Sequence, residues 1–164
     1  MGGFTVIYLK KRDAETIASL NTKLAECGVA KKYRFYSEDN ILLEYNAFLA
    51  KKGVFPEYQF PRDKIKSLTD FKQYWSPKAI GEIFIPYVGS LVFDCYFGRT
   101  SKRAMRNLSK FLTINHREIL GVRGSFDTFM ERGMTKADQK FINELMSSNT
   151  IQTFNGSTPY NTNN

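Results

Sequence analysis

Two apolar runs separated by Gly89-Ser90 constrain this chain more than any other stretch. The segment AIGEIFIPYVGSLVFDCYF, Ala79 to Phe97, holds two strand-like runs around a Gly-X pair, the pattern of a two-residue hairpin. With that turn Val88 pairs with Leu91, Tyr87 with Val92, Ile85 with Asp94 and Ile83 with Tyr96. Phe84, Val88, Leu91, Phe93, Cys95 and Phe97 then share the other face. Both faces are apolar, so the hairpin is expected in the middle of a sheet, with material on each side.

A helix is expected next. Gly98 ends the strand, and Thr100 or Ser101 is placed to cap the helix by accepting a backbone N–H bond. Ala104, Met105, Leu108, Phe111 and Leu112 have the three-and-four spacing of a buried stripe. Arg99, Arg103, Arg106 and Lys110 take the opposite side with the same spacing, and Lys102 flanks them. With Arg117 and Arg123 the stretch carries seven cations against one anion, Glu118, which is six of the net eight positive charges of the chain. A plain solvated helix face mixes signs, because like charges four residues apart repel; Arg106 and Lys110 are such a pair. A single-sign face points to an anionic partner. Nucleic acid through its phosphates is the first expectation, and an acidic protein surface the second.

The 164 residues suffice for one domain with a proper core. Composition is globular, and at 15% aromatic it is rich in rings. Cys27 and Cys95 fall inside apolar faces and are too few for a zinc site or a disulfide framework, so a reducing, cytoplasmic compartment is expected, in a host cell if the protein is delivered to one. Phe4 to Leu9 is too short for a signal-peptide core, and no run approaches a membrane span.

In chain order, Phe4 to Leu9 reads as a strand. Asp13 caps a helix with Ile17, Leu20, Leu24 and Cys27 inward and Gly28 as its stop. KKYRFY, Lys31 to Tyr36, alternates like a second strand. A helix over Ile41 to Gly53, with a strand at Ile41 to Tyr45 as the competing assignment, an extended VFPEYQFP and a helical stripe from Ile65 to Trp75 follow. Asn115 to Gly121 is expected to continue as helix or to form a second short one. Thr135 and Asp138 form a capping-box pattern ahead of Phe141, Ile142, Leu145 and Met146. From Ser147 onward 12 of 18 residues are Ser, Thr or Asn and none is charged, the composition of a disordered tail. The expectation is a single α+β domain over 1–146, mainly antiparallel, its central hairpin (79–97) covered by amphipathic helices, followed by a polar tail over 147–164.

No complete catalytic set stands out. His116 is the lone histidine, without visible partners for nucleophilic or metal chemistry. Asp94 inside an apolar strand, with Glu82 on its neighbour, Asp127 and Lys102, raises the alternative of a metal-dependent nuclease, but no Glu-X-Lys follows Asp94. GRTSK at Gly98 to Lys102 lacks the paired glycines of a nucleotide loop, so no cofactor is expected. Tyr33, Phe35, Tyr36, Tyr87 and Tyr96 are weighed as stacking platforms for unpaired bases against core packing.

The segment VRGSFDTF, Val122 to Phe129, resembles a degraded form of the signature helix of LAGLIDADG homing endonucleases. In that family two glycine-containing helices pack together, and each ends in a metal-binding acid. Phe129 stands where that acid would be and no second copy exists, so even this resemblance argues against cleavage. The function expected from sequence is non-catalytic nucleic-acid binding by Arg99, Lys102, Arg103, Arg106, Lys110, Arg117 and Arg123. The alternatives are a virus- or mobile-element-type assembly protein docking on acidic protein, and the nuclease.

Overall fold

The computed structural model describes residues 4–38, 87–95, 100–155 and 159–160. The chain groups into two compact units, Met1–Phe35 with Gly89–Ser157 and Tyr36–Val88 with Thr158–Asn164. All the strands and helices described here belong to the first unit.

The β-branched and aromatic run at the N-terminus forms strand β1 (Phe4–Leu9), buried over Thr5 to Leu9. One of its edges pairs antiparallel with β2 (Ser90–Asp94) and the other antiparallel with β3 (Ile119–Gly124). A short strand β4 (Gln152–Phe154) joins β3 in parallel, giving the order β2-β1-β3-β4. The fold class is α+β with a mainly antiparallel sheet, as expected. Its described centre is β1, whereas the sequence pattern placed a hairpin there. Of that hairpin, Ala79 to Pro86 and Tyr96 to Phe97 lie outside the described residues. A turn with Gly89 at φ +87° leads into β2, where Ser90 already takes a ladder position opposite Tyr8.

Four helices complete the unit: α1 (Ala14–Glu26), α2 (Lys102–Ile114), α3 (Phe126–Gly133) and α4 (Lys136–Ser147). Three begin where a side-chain oxygen satisfies an orphan N–H of the first turn. Asp13 accepts from Thr16, Ser101 from Ala104 at 3.1 Å and Thr135 from Asp138 at 3.2 Å. Alternation along the strands puts Phe93, Thr5 and Gly124 on one sheet face and Val92, Val6 and Arg123 on the other. Helix α3 covers the first of these faces. Its Phe129 meets Phe93 edge-on at 5.0 Å, an arrangement worth about 0.5–1.5 kcal/mol beyond the area it buries.

Three segments differ from the sequence expectation, each for a local reason. KKYRFY makes no ladder. The side-chain amide of Asn21 takes the place of a neighbouring strand, accepting from Phe35 N at 2.7 Å and donating to Phe35 O at 3.1 Å. Asn115 to Gly121 does not continue the helix. After a 3₁₀ turn at His116–Glu118 the chain enters β3, which two glycines and an arginine had hidden as a strand.

The third difference is the start of the polar tail. Ser147 is still helical. Thr150 N then bonds Leu145 O at 2.8 Å and Asn149 N bonds Met146 O at 3.1 Å, with Asn149 at φ 61°. That is a Schellman stop. Gly28 closes α1 with the same pair of bonds, from Val29 N to Leu24 O and from Gly28 N to Ala25 O. The reversed chain delivers Ile151, fully buried, and then β4, whose Phe154 packs edge-on against Tyr8 at 5.7 Å. Two hydrophobes among polar residues left no periodic signal, yet they complete the sheet.

Ile151→Ala is therefore expected to cost about 2–5 kcal/mol, the range for truncating a buried aliphatic side chain. Urea denaturation followed by circular dichroism measures it. Unchanged stability would show that the segment after α4 does not dock.

Candidate nucleic-acid interface

Helix α2 reads KRAMRNLSKFLTI and contains no acid. Its buried side is Met105, Leu108, Ser109, Phe111 and Leu112, with Phe111 tilted against Phe35 at 5.8 Å between centroids. Lys102, Arg103, Arg106 and Lys110 are exposed on the opposite side. At three- and four-residue spacing they form one row. The row spans about 12 Å from Lys102 to Lys110, taking 1.5 Å per residue. Among the described residues, no hydrogen bond or ion pair engages the side chain of any of the four. Ile114, four residues past Lys110, ends the row; it is 62% exposed, the one large apolar side chain so exposed among the described residues.

The electrostatics of this helix run against its own stability. Lys102 and Arg103 occupy the first turn, where the helix dipole favours anions, and that turn contains no acid. Lys102, Arg106 and Lys110 repeat at four-residue spacing, adding like-charge repulsion of a few tenths of a kcal/mol per pair (about 0.2–0.5). Helix α4 shows the ordinary alternative, with Lys136, Asp138, Lys140 and Glu144 mixing signs along its surface.

The remaining expected site residues are not on this row. Arg117 is exposed, but in the 3₁₀ turn after the helix. Arg123 is half-buried in β3, on the sheet face opposite to the one that α3 covers, and it is already engaged by other groups. Arg99 lies outside the described residues. The two residues ahead of α2 are also engaged, since Ser101 caps the helix and buried Thr100 accepts from the Tyr33 hydroxyl at 3.3 Å.

The acids weighed for a metal lie on different elements where they are described. Asp94 is buried in β2, Asp127 is exposed in the first turn of α3, and Glu82 lies outside the described residues. Among the described residues no three His, Cys, Asp or Glu stand close enough to hold a metal ion. His116 packs edge-on against Phe141 at 5.0 Å with Nδ1 3.0 Å from Thr113 O, a joint between the end of α2 and α4. The stretch resembling a homing-endonuclease helix is half strand: Val122 to Gly124 close β3, and α3 starts only at Phe126. Tyr33, Phe35 and Tyr36 are buried, which makes them core rings and removes them as stacking platforms.

Sequence reasoning missed the loop beside the helix. Asn107 Nδ2 donates to Gly28 O at 3.0 Å, and the Tyr33 hydroxyl reaches Thr100. These two bonds lay the chain from Gly28 to Tyr33 along the N-terminal half of α2. Lys31 and Lys32 on that loop are exposed. No periodicity within KKYRFY signals this placement, because two distant hydrogen bonds create it.

No protein-family model, curated protein or solved structure matches the chain.

Two outcomes follow from these environments. Lys102→Glu, which puts an anion in the first turn of α2, is expected to stabilise the fold by about 0.3–1 kcal/mol at low salt. Thermal melts at two ionic strengths check both the sign and its screening; destabilisation would mean that Lys102 holds a structural contact. Burial pushes the Cys95 thiol above its ordinary value, with Thr5 Oγ1 3.1 Å from the sulfur opposing the shift. A raised folded value gives stability that is complete below the unfolded pKa and is lost as pH rises through the folded one. The urea midpoint is expected to fall more steeply above about pH 8 in the parent protein than in Cys95→Ala. Equal slopes would place the thiol in an unperturbed site.

Proposed function

We propose that this chain is a non-catalytic nucleic-acid-binding protein that lays the exposed row of α2 on the phosphate backbone. One observation carries it: four exposed cations on one side of an acid-free helix, with no internal partner among the described residues. Such a row loses stability through repulsion and through its position on the helix dipole. A polyanion converts the same arrangement into affinity, because each neutralised phosphate releases condensed counterions. Phosphate contacts of this kind position a protein on nucleic acid without reading its sequence. Among the described residues no helix is long and apolar enough to cross a membrane.

The triple variant Arg103→Gln, Arg106→Gln, Lys110→Gln tests the proposal. Each lost phosphate contact flattens the plot of log K against log salt by about 0.7–0.9, so the variant is expected to flatten it by roughly 2–3. The loss is expected alike across sequences. Folding survives, since Met105, Leu108 and Leu112 are untouched. Lys136→Gln with Lys140→Gln on α4 is the control and leaves the slope in place. Equal losses in both variants would reduce the row to ordinary positive surface. Failure of the parent protein to bind nucleic acid, or magnesium-dependent cleavage of it, would overturn the proposal.

A further inference from the structure

We infer that Lys31 and Lys32 form a second limb of the α2 surface, and that the ligand of the two-limbed surface is a double-stranded nucleic acid. The inference rests on the phosphate-binding role of α2 and specifies both the extent of the site and the class of its partner. Two observations lead to it. Hydrogen bonds at Asn107–Gly28 and Tyr33–Thr100 fasten the loop at both ends to α2 and the residue before its cap, so its exposed lysines hold a fixed place along the N-terminal half of the helix. The loop is further stiffened by Arg34, whose guanidinium donates to the carbonyls of Val29, Ala30 and Tyr33 at 2.7–3.0 Å.

The second observation is what became of the rings. In KKYRFY the rings of Tyr33 and Phe35 turn into the core of the first unit and the lysines remain outside, with the two rings at 7% and 0% exposure. Affinity for unpaired strands comes largely from bases stacking on exposed rings, about 1–3 kcal/mol for each. Among the described residues this loop and helix α2 withdraw their rings and keep their cations, and so offer phosphate contacts. Cations on two rigidly joined elements match a partner whose phosphates are themselves rigidly spaced. One strand of a duplex advances about 3.4 Å along the axis per phosphate, so the 12 Å row of α2 faces roughly three or four of them. A flexible single strand has to be ordered to meet the same array, which costs affinity.

The test compares Lys31→Gln/Lys32→Gln, Lys31→Arg/Lys32→Arg and the α2 triple variant. The probes are one random-sequence duplex and one of its strands, titrated across salt. The Gln pair is expected to flatten the duplex salt slope by about 1.5–2, and the Arg pair to preserve it. Lys32 Nζ also lies 5.1 Å from the Tyr33 ring centroid, a contact that Arg retains, so melting curves confirm the fold of each variant. The parent protein is expected to bind the duplex at least tenfold more tightly than the single strand at equal salt. An unchanged slope in the Gln pair would remove the second limb, and equal or tighter binding of the single strand would remove the duplex assignment. In both cases a flattened slope in the α2 triple variant leaves the underlying role of the helix intact. If that variant too is unaffected, the role of α2 fails with the rest.

Discussion

The antiparallel ladders on both edges of β1 are the constraint from which the rest of the unit follows. A strand bonded on two sides and buried on two faces has to be covered, and α3 covers one face through Phe129 on Phe93. Helix α2 then packs against α3, close enough that a Cβ on Gly133 would lie 3.0 Å from the Met105 carbonyl oxygen. That crossing commits the stripe from Met105 to Leu112 to the interior. Once the stripe is committed, helical geometry leaves Lys102, Arg103, Arg106 and Lys110 no place but the surface. The basic row is thus a consequence of how the sheet is covered. Its position is as rigid as the core beneath it.

The short parallel strand β4 joins the other edge of β3 because a side chain is missing there. Gly121 sits in β3 where any side chain would run into Gln152 O and the Phe154 ring, so the absence of a Cβ admits β4 at that edge. The Schellman stop at Asn149 sets the angle at which the chain arrives. Neither device involves a hydrophobic run. A glycine and an asparagine thereby decide where Ile151 is buried.

Elements with a strong period or a side-chain cap were legible in the sequence: β1, α1 closed by Gly28, α2 behind Ser101, and α4 behind Thr135. Those built by contacts between distant residues were not. Asn21 supplies Phe35 with the bonds that a strand would have supplied, so an alternating segment stays out of the sheet. β3 and β4 lean on neighbours that are far away in sequence; β3, as long as β1, has its pattern broken by two glycines and an arginine, and β4 with three residues is too short to carry one. The candidate site divides in the same way. The α2 cations follow from spacing alone. Arg123 was grouped with them by charge but belongs to the opposite sheet face, and Lys31 and Lys32 join them only through Asn107 and Tyr33.

How a row of like charges remains compatible with a stable fold is a question of range. At physiological ionic strength the screening length is about 8 Å, shorter than the roughly 12 Å from Lys102 to Lys110. Repulsion is therefore felt between adjacent members of the row and little between its ends. Its total stays near a kcal/mol, against the roughly 5–15 kcal/mol that hold a domain together. A polyanion in contact is subject to no such limit, because each cation meets its own phosphate at short distance. The cost of the row is local and its attraction is summed over its length, and four cations need no change in the core beneath them to act together.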